Sequence, residues 1–427
     1  MRKILAFVVL STLVTVCQAQ TIRDEIRQDI RRSGSNYMAY PEPQRQLTEA
    51  PAGMTPFYIS HYGRHGSRYH NKPETYDIPY HILALADSVG KLTVLGQDVM
   101  ERLDRIRHDA EDRWGELTTL GAQQHQEIAR RMMERFPEVF TDKVDIEARS
   151  TTVTRCILSM ENAMMQMART SPKLDIHHNA TERDMYYLNQ QDKKLFAQKM
   201  DSATWEYYMT FTRTLEKNDR LMQALFNDTA YIRQHVDGGK LNYYLFKVAC
   251  NIQSTNLCKE LALYDIFTEE EIYNNWLKEN AWWYICFGAA TVNGGRQPYT
   301  QRNLLRKIIA EADSCIQLKV PSVNLRFGHE TIVMPLVCLL DINGYGLATD
   351  DLASLAQRNW ANYKIFPMAC NLQLVFYRRH PQDRDVVFKV LLNEEEATLP
   401  LPSDMAPYYR WNDFKEYYLR ELDAYQE

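Results

Sequence analysis

Arg64-His65-Gly66-Ser67-Arg68 sets two arginines around a histidine, with a glycine between. A guanidinium presents a fixed fork of donors that matches phosphate oxygens. A glycine lets the backbone come close to a bound oxyanion. An imidazole nitrogen held against phosphorus, with charge neutralised on both sides, can take the phosphoryl group and split hydrolysis into two steps. The segment follows a short β-rich run, Phe57-Tyr58-Ile59-Ser60, and open α/β sheets bind ligands at such strand ends. Read alone, the same five residues serve equally well as a basic turn that happens to contain histidine.

Two further segments offer compatible chemistry. In Arg149-Ser150-Thr151-Thr152-Val153-Thr154-Arg155-Cys156 a strand gives way to a helix. Free N–H groups and a partial positive charge at a helix start suit phosphate. Arg149 at that junction is a candidate third oxyanion clamp, whereas Arg155, inside the helix, reads as one half of a structural ion pair. In Phe327-Gly328-His329-Glu330, His329 can donate a hydrogen bond to a phosphoryl oxygen. Glu330 can protonate a leaving oxygen and then accept a proton from the attacking water. The plainer role for Glu330 is an acidic residue in the first turn of the next helix. A zinc-protease motif is excluded, because the second histidine of HExxH falls on Val333.

These segments need a scaffold that brings strand ends together, and the patterning predicts one. Ile22, Ile26 and Ile30 mark an amphipathic helix over 21–32 that stops near Gly34, and 41–56 reads as a loop. Thr118 caps a helix running to Phe136 before Pro137. Val144 to Ala148 alternates like a strand, and Ser150 or Thr151 caps a long helix to Arg169. Residues 181–316 are helical in pattern and rich in aromatics. Strands follow at 323–327, 372–378 and 386–391, with a turn near Pro381 and a last helix over 411–425. The expected fold is therefore α/β, a core sheet flanked by helices and interrupted by a largely α-helical insertion. The expected division is an N-terminal helix and loop over 20–54, a core of 55–175 and 317–427, and a helical cap over 176–316. No internal repeat or low-complexity tract is visible.

Formal net charge is -5, which does not suit a nucleic-acid binder. An anionic ligand must be drawn in by local cationic clusters. Arg2-Lys3, the apolar stretch 4–16 and Cys17-Gln18-Ala19 read as an export signal cut after Ala19, giving a secreted or periplasmic protein. A lipid anchor through Cys17 is the second choice, since Val16 is bulky for that processing. No later segment is apolar enough to span a membrane. Seven cysteines remain beyond Cys17, an odd number that leaves at least one free thiol, and there is no CxxC pair to hold zinc.

In five segments the chain resembles the histidine acid phosphatases, the second branch of the histidine phosphatase superfamily. RHGSR at 64–68 is similar to RHGxR. Gly115-Glu116-Leu117-Thr118 with Gly121 and Gln124 resembles GELTxxG. Residues 149–159 resemble RSTxxxRxxxS, 327–336 the proton-donor segment, and 390–394 the late strand and turn. The resemblance implies an α/β core with a helical cap and no metal or other cofactor. It implies His65 as the phosphorylated nucleophile, Arg64, Arg68, Arg149 and His329 as phosphate ligands, and Glu330 as proton donor. Acid phosphatases place Asp directly after the second histidine; the inositol polyphosphate phosphatases place Glu one residue later, where this chain has Thr331. Threonine is no general acid, so Glu330 takes the role. His70 replaces the proline of RHGxRxP. FGHxxxxxPL and Arg68-Tyr69 lie nearest the inositol polyphosphate phosphatases, which implies phytate or lower inositol phosphates as the small-molecule partner. Lys72, Lys240, Arg296 and Arg302 are candidate contacts for additional phosphates. A general acid phosphatase or sugar-phosphate phosphatase, a phosphoglycerate mutase-like transferase of the first branch, and a silent polyanion-binding protein are the alternatives.

Overall fold

A computed structural model describes residues 21–190 and 192–426; the export signal expected over 1–19 and Cys17 lie outside them. The strands are β1 (Thr55–Arg64), β2 (Asp145–Ser150), β3 (Ile176–Ala180), β4 (Ser322–Gly328), β5 (Asn371–Arg378), β6 (Val387–Leu392), β7 (Glu395–Ala397) and β8 (Tyr408–Arg410). The main helices are α1 (Ile22–Gln28), α2 (Glu74–Ser88), α3 (Val94–Ala110), α4 (Thr119–Arg135) and α5 (Thr154–Thr170). They continue with α6 (Gly238–Ile252), α7 (Glu269–Phe287), α8 (Arg302–Gln317), α9 (Glu330–Leu339) and α10 (Trp411–Ala424).

All eight strands form one sheet in the order β3-β2-β4-β1-β5-β6-β7, with β8 beside β6. β1, β2, β3 and β4 run parallel, while β5 and β6 continue antiparallel. β1 lies at the centre and is buried on both faces from Pro56 onward, so its sequence does not alternate. Its last residue, Arg64, pairs with Gly328 at the end of β4, and Gly63 pairs with Asn371 at the start of β5. Because the central strands are parallel, the chain leaves β1, β2 and β4 at the same edge.

One face of the sheet packs Ile59, Ile146, Ala148, Val323 and Leu325 against Met132 of α4 and Met160 and Met164 of α5. The other packs Tyr58 and Tyr62 against Leu305 and Ile308 of α8 and Val333 and Val337 of α9. A third core joins Leu83 of α2 and Val99 and Leu103 of α3 to Leu241 and Leu245 of α6, Trp276 of α7, and Ile22 and Ile26 of α1. Helices from 74–110 thus pack on the same core as the insertion, and residues 176–180 belong to the sheet as β3.

Local starts and stops follow side-chain chemistry. Thr118 caps α4 through its hydroxyl, which accepts from the Gly121 N–H. Helix α1 ends at Gln28, and Asp29, whose carboxylate accepts from the Arg31 N–H, starts a 3₁₀ segment over 30–37. The expected cap of α5 by Ser150 or Thr151 does not form. The helix starts later, after Val153 and without a side-chain cap, because the Ser150 hydroxyl donates to the Thr151 carbonyl and the Thr151 hydroxyl turns toward His329. The seven described cysteines are free, and Cys258 alone among them is exposed. No helix among the described residues is long and apolar enough to cross a membrane.

The start of α4 is pressed onto the loop after β1. A Cβ on Gly121 would lie 2.2 Å from the Ser67 carbonyl oxygen, and one on Gly66 would lie 2.3 Å from the Gly121 carbonyl oxygen. Gly121→Ala should therefore destabilise the fold by about 1–3 kcal/mol through overpacking. Gly239→Ala, where an added Cβ meets nothing closer than 3.6 Å, should not. Denaturant unfolding compares the two, and equal stabilities would contradict the close docking.

Candidate active site

The loop His65–Arg68 is held at nearly every backbone group, by residues far apart in sequence. The Arg64 N–H donates to Cys370 O at 2.8 Å, the His65 N–H to Gly328 O at 2.9 Å, and the Ala369 N–H to His65 O at 3.0 Å. The Gly66 N–H donates to Ser159 Oγ at 3.2 Å and the Ser67 N–H to Gln124 Oε1 at 2.9 Å. Ser67 O accepts from the Thr118 N–H at 2.9 Å and from the Thr118 hydroxyl at 3.1 Å. Gly66 was expected to clear space for an oxyanion; its lack of a side chain is required instead by Gly121. His70, at the position of the family proline, is buried with Nε2 2.9 Å from Lys247 O, which ties the loop to α6.

Four of the expected side chains converge with Glu330 at this edge of the sheet. Arg64 Nε lies 3.0 Å from Glu330 Oε2, His65 Nε2 lies 3.6 Å from the same oxygen, and Arg68 Nη2 lies 4.0 Å from Oε1. The rings of His65 and His329 meet edge-on with centroids 5.7 Å apart. His329 immediately precedes α9, and its Nε2 lies 3.4 Å from Thr151 Oγ1. The Arg64 guanidinium is aimed by two carbonyls: Nη1 donates to Asn36 O at 2.7 Å and to Phe366 O at 3.0 Å. Arg68 Nη1 donates to Tyr69 O at 2.9 Å.

What remains uncommitted is informative. Arg64 Nη2, Arg68 Nε, Arg155 Nε and His65 Nε2 are all buried without a hydrogen-bond partner among the described residues, while Arg64 Nε is taken up by its ion pair with Glu330. Buried polar atoms in folded proteins are almost always partnered, so a cluster of unpartnered guanidinium N–H groups at one place fits an anion-binding hollow. His65 Nδ1 lies 2.9 Å from Gly66 O. A carbonyl only accepts, so Nδ1 carries the proton and Nε2 presents its lone pair to the hollow.

Electrostatics follow the same pattern. Burial drives His65 well below its ordinary 6.5, against the upward pull of Glu330, so the imidazole is neutral. Burial likewise pushes His329 down to about 4. Burial alone would raise the Glu330 carboxyl, but the Arg64 guanidinium, with Arg68 beyond it, outweighs burial and holds the group well below 4.5. The ligand atoms of His65, His329 and Glu330 lie within 4.8 Å of one another, a spacing that metals use. The carboxylate, however, is already matched by Arg64 and approached by Arg68, and these guanidiniums repel a cation. The donor set suits an anion.

Arg149 departs from expectation. It is 29% exposed, its Nη2 pairs with Glu147 and its Nε lies 3.9 Å from Asp184 Oδ2. It lines a separate cavity of about 330 Å³ with Lys307, Glu311 and Arg326. The period of a strand explains this, since Glu147 and Arg149 stand two apart on one face of β2 and meet there. Arg155, expected to make a structural ion pair, makes none among the described residues; it faces the hollow from the first turn of α5. The readable signal was Ser159, one helical turn on, whose hydroxyl accepts from Gly66. Of the candidate outer contacts, Arg302 pairs with Asp192 at 2.7 Å, Arg296 stacks over Tyr425, and Lys72 and Lys240 are exposed.

Comparisons with known proteins agree with this architecture. The multiple inositol polyphosphate phosphatase of Bifidobacterium longum, solved with inositol hexasulfate, is similar at a TM-score of 0.75 and 15% identity, over 90% of this chain and 97% of that one. A phytase from D. castellii matches at 0.70 and 14%, over 92% and 85%. A Hafnia alvei phytase matches at 0.51 and 13%, over 87% and 98%. No curated protein sequence matches the chain. The family described as "Histidine phosphatase superfamily (branch 2)" matches residues 63–393, a span that contains every residue of the hollow, and the chain belongs to that family.

Proposed function

We propose that this histidine acid phosphatase is exported and hydrolyses inositol phosphates through a phosphohistidine formed on His65. The observation that carries the reading is a buried His65 whose unpartnered Nε2 stands in a hollow lined by guanidinium N–H groups without partners among the described residues. The second-branch match removes the mutase-like alternative, which belongs to the first branch. Inositol phosphates are favoured because the similar B. longum phosphatase was solved with inositol hexasulfate. Export rests on the sequence of residues 1–19.

A phosphate monoester enters with its non-bridging oxygens toward Arg64, Arg68 and His329. His65 Nε2 forms a bond to phosphorus while the bond from phosphorus to the leaving oxygen breaks. Glu330 gives its proton to that oxygen. Water then attacks phosphorus, its proton passes to Glu330, and the N–P electron pair returns to His65 as orthophosphate forms. Preorganised guanidiniums stabilise the charge that spreads over the equatorial oxygens. In the free protein Glu330 is ionised against Arg64. A bound dianion engages that guanidinium and adds negative charge beside the carboxylate, and both effects favour protonating Glu330.

Glu330→Gln should lower kcat on phytate by about 10²–10⁴-fold and on nitrophenyl phosphate, whose leaving group needs little protonation, by much less. Equal losses on the two substrates would remove Glu330 as the acid. Because burial lowers the His65 pKa, kcat/KM should persist well below pH 6.5 after correction for substrate ionisation; an acid limb centred at or above 6.5 would contradict a neutral buried nucleophile. A chelator should leave turnover unchanged, and loss restored by a divalent ion would overturn the metal-free mechanism. A phosphate-release screen over phytate, glucose 1-phosphate and nitrophenyl phosphate tests the substrate class. A kcat/KM on glucose 1-phosphate above that on phytate would favour the sugar-phosphate reading.

A further inference from the structure

We infer that Tyr37 and the Lys247–Glu279 ion pair form a leaving-group subsite, which takes a polyol with a free hydroxyl beside the scissile ester. The inference rests on the phosphatase reading and narrows its substrate class.

Tyr37 ends the 3₁₀ segment over 30–37 and precedes the span matched to the family. Its neighbour Asn36 gives its carbonyl to Arg64 Nη1 at 2.7 Å, so the segment arrives at the wall of the hollow. The Arg68 guanidinium carbon stands 5.5 Å and Lys247 Nζ 5.6 Å from the centre of the Tyr37 ring. The ring thus bridges a cation of the hollow and a cation of α6. It also meets the His70 ring edge-on, with centroids 4.6 Å apart. His70 stands where the family motif has proline, and its Nε2 reaches the carbonyl of Lys247. The place where this chain departs from RHGxRxP therefore packs against Tyr37 and Lys247 together.

The polar groups of this wall are matched in charge but not in hydrogen bonds. Lys247 Nζ lies 2.8 Å from Glu279 Oε2, and both side chains keep some exposure. The Tyr37 side chain is half-buried, and its hydroxyl makes no hydrogen bond among the described residues. The Tyr37 oxygen is felt at Arg64 as well as at Lys247, which puts it between the hollow and the ion pair. A second phosphate placed here would meet the Glu279 carboxylate, and the ammonium that could hold it is already neutralised. A hydroxyl both donates and accepts, so it can give its proton to a Glu279 oxygen while accepting from the Tyr37 hydroxyl. A site built to bond a substrate hydroxyl discriminates strongly against a substrate that lacks one.

Steady-state kinetics on inositol 1-phosphate and on nitrophenyl phosphate, which has no hydroxyl beside its ester, read the subsite. Tyr37→Phe keeps the ring and its packing on Arg68. It should raise KM for inositol 1-phosphate by about 3–10-fold, the worth of one hydrogen bond, and KM for nitrophenyl phosphate by a clearly smaller factor. Glu279→Gln removes the charge but keeps the shape, and should raise kcat/KM on phytate relative to that on inositol 1-phosphate by about threefold or more. Equal factors on the two monoesters in Tyr37→Phe, or a phytate ratio that stays or falls in Glu279→Gln, would overturn the subsite while leaving His65 chemistry intact. If Glu279→Gln does not fold, the Tyr37→Phe comparison decides alone. A native protein that hydrolyses neither monoester would sink the phosphatase reading and this inference together.

Discussion

Arg64 and Glu330 form a buried ion pair on which the rest of the site depends. Burying charges is expensive unless they are paired and hydrogen-bonded. The Arg64 guanidinium is fully buried yet meets one carboxylate at 3.0 Å and two backbone carbonyls. That arrangement commits one edge of the guanidinium and leaves Nη2 for a ligand. It also favours the ionised form of Glu330. In the proposed mechanism the pair couples substrate binding to the protonation of Glu330, so the contact that organises the resting site would also prepare the chemical step.

Holding that pair beside two more arginines needs a stiff frame, because like charges push apart. The sheet supplies it: Arg64 leaves β1 opposite Gly328, so His65 and His329 emerge side by side from parallel neighbours. The loop is then fastened by Gln124, Ser159, Thr118 and the carbonyls of Gly328 and Cys370. A Cβ on Gly328 would overlap the Tyr62 hydroxyl, 2.0 Å away, and that hydroxyl donates to Leu188 O at 2.6 Å. Tyr62 thus lies against the strand end that delivers His329 and ties it to the chain after β3.

Much of this was legible in sequence because it is local. Thr118 as a cap, the strands before His65 and His329, and the helices at 119–135 and 411–424 follow from periodicity and capping residues. The RHGSR and GHE segments sit at strand ends as expected. What escaped is non-local. Strand β1 extends to Arg64 because both its faces are covered, which erases alternation. Strand β3 was unreadable because its middle residues, His177 and His178, are polar and exposed at the sheet edge. Thr151 looked like a cap but turns its hydroxyl toward His329, a residue 178 positions away. Arg149 left its expected place because only the fold sets Asp184 beside it, and Arg155 makes no ion pair among the described residues for the same non-local reason.

The proposed chemistry turns on one nitrogen atom, His65 Nε2, and a covalent intermediate reports on it directly. Rapid acid-free quenching of the native protein with ³²P-labelled substrate, followed by peptide mapping, should place the label on the peptide containing His65. It should be lost on mild acid treatment, as a phosphoramidate is, and be missing from His65→Ala. Full turnover with no label trapped, or label on any other residue, would contradict the account.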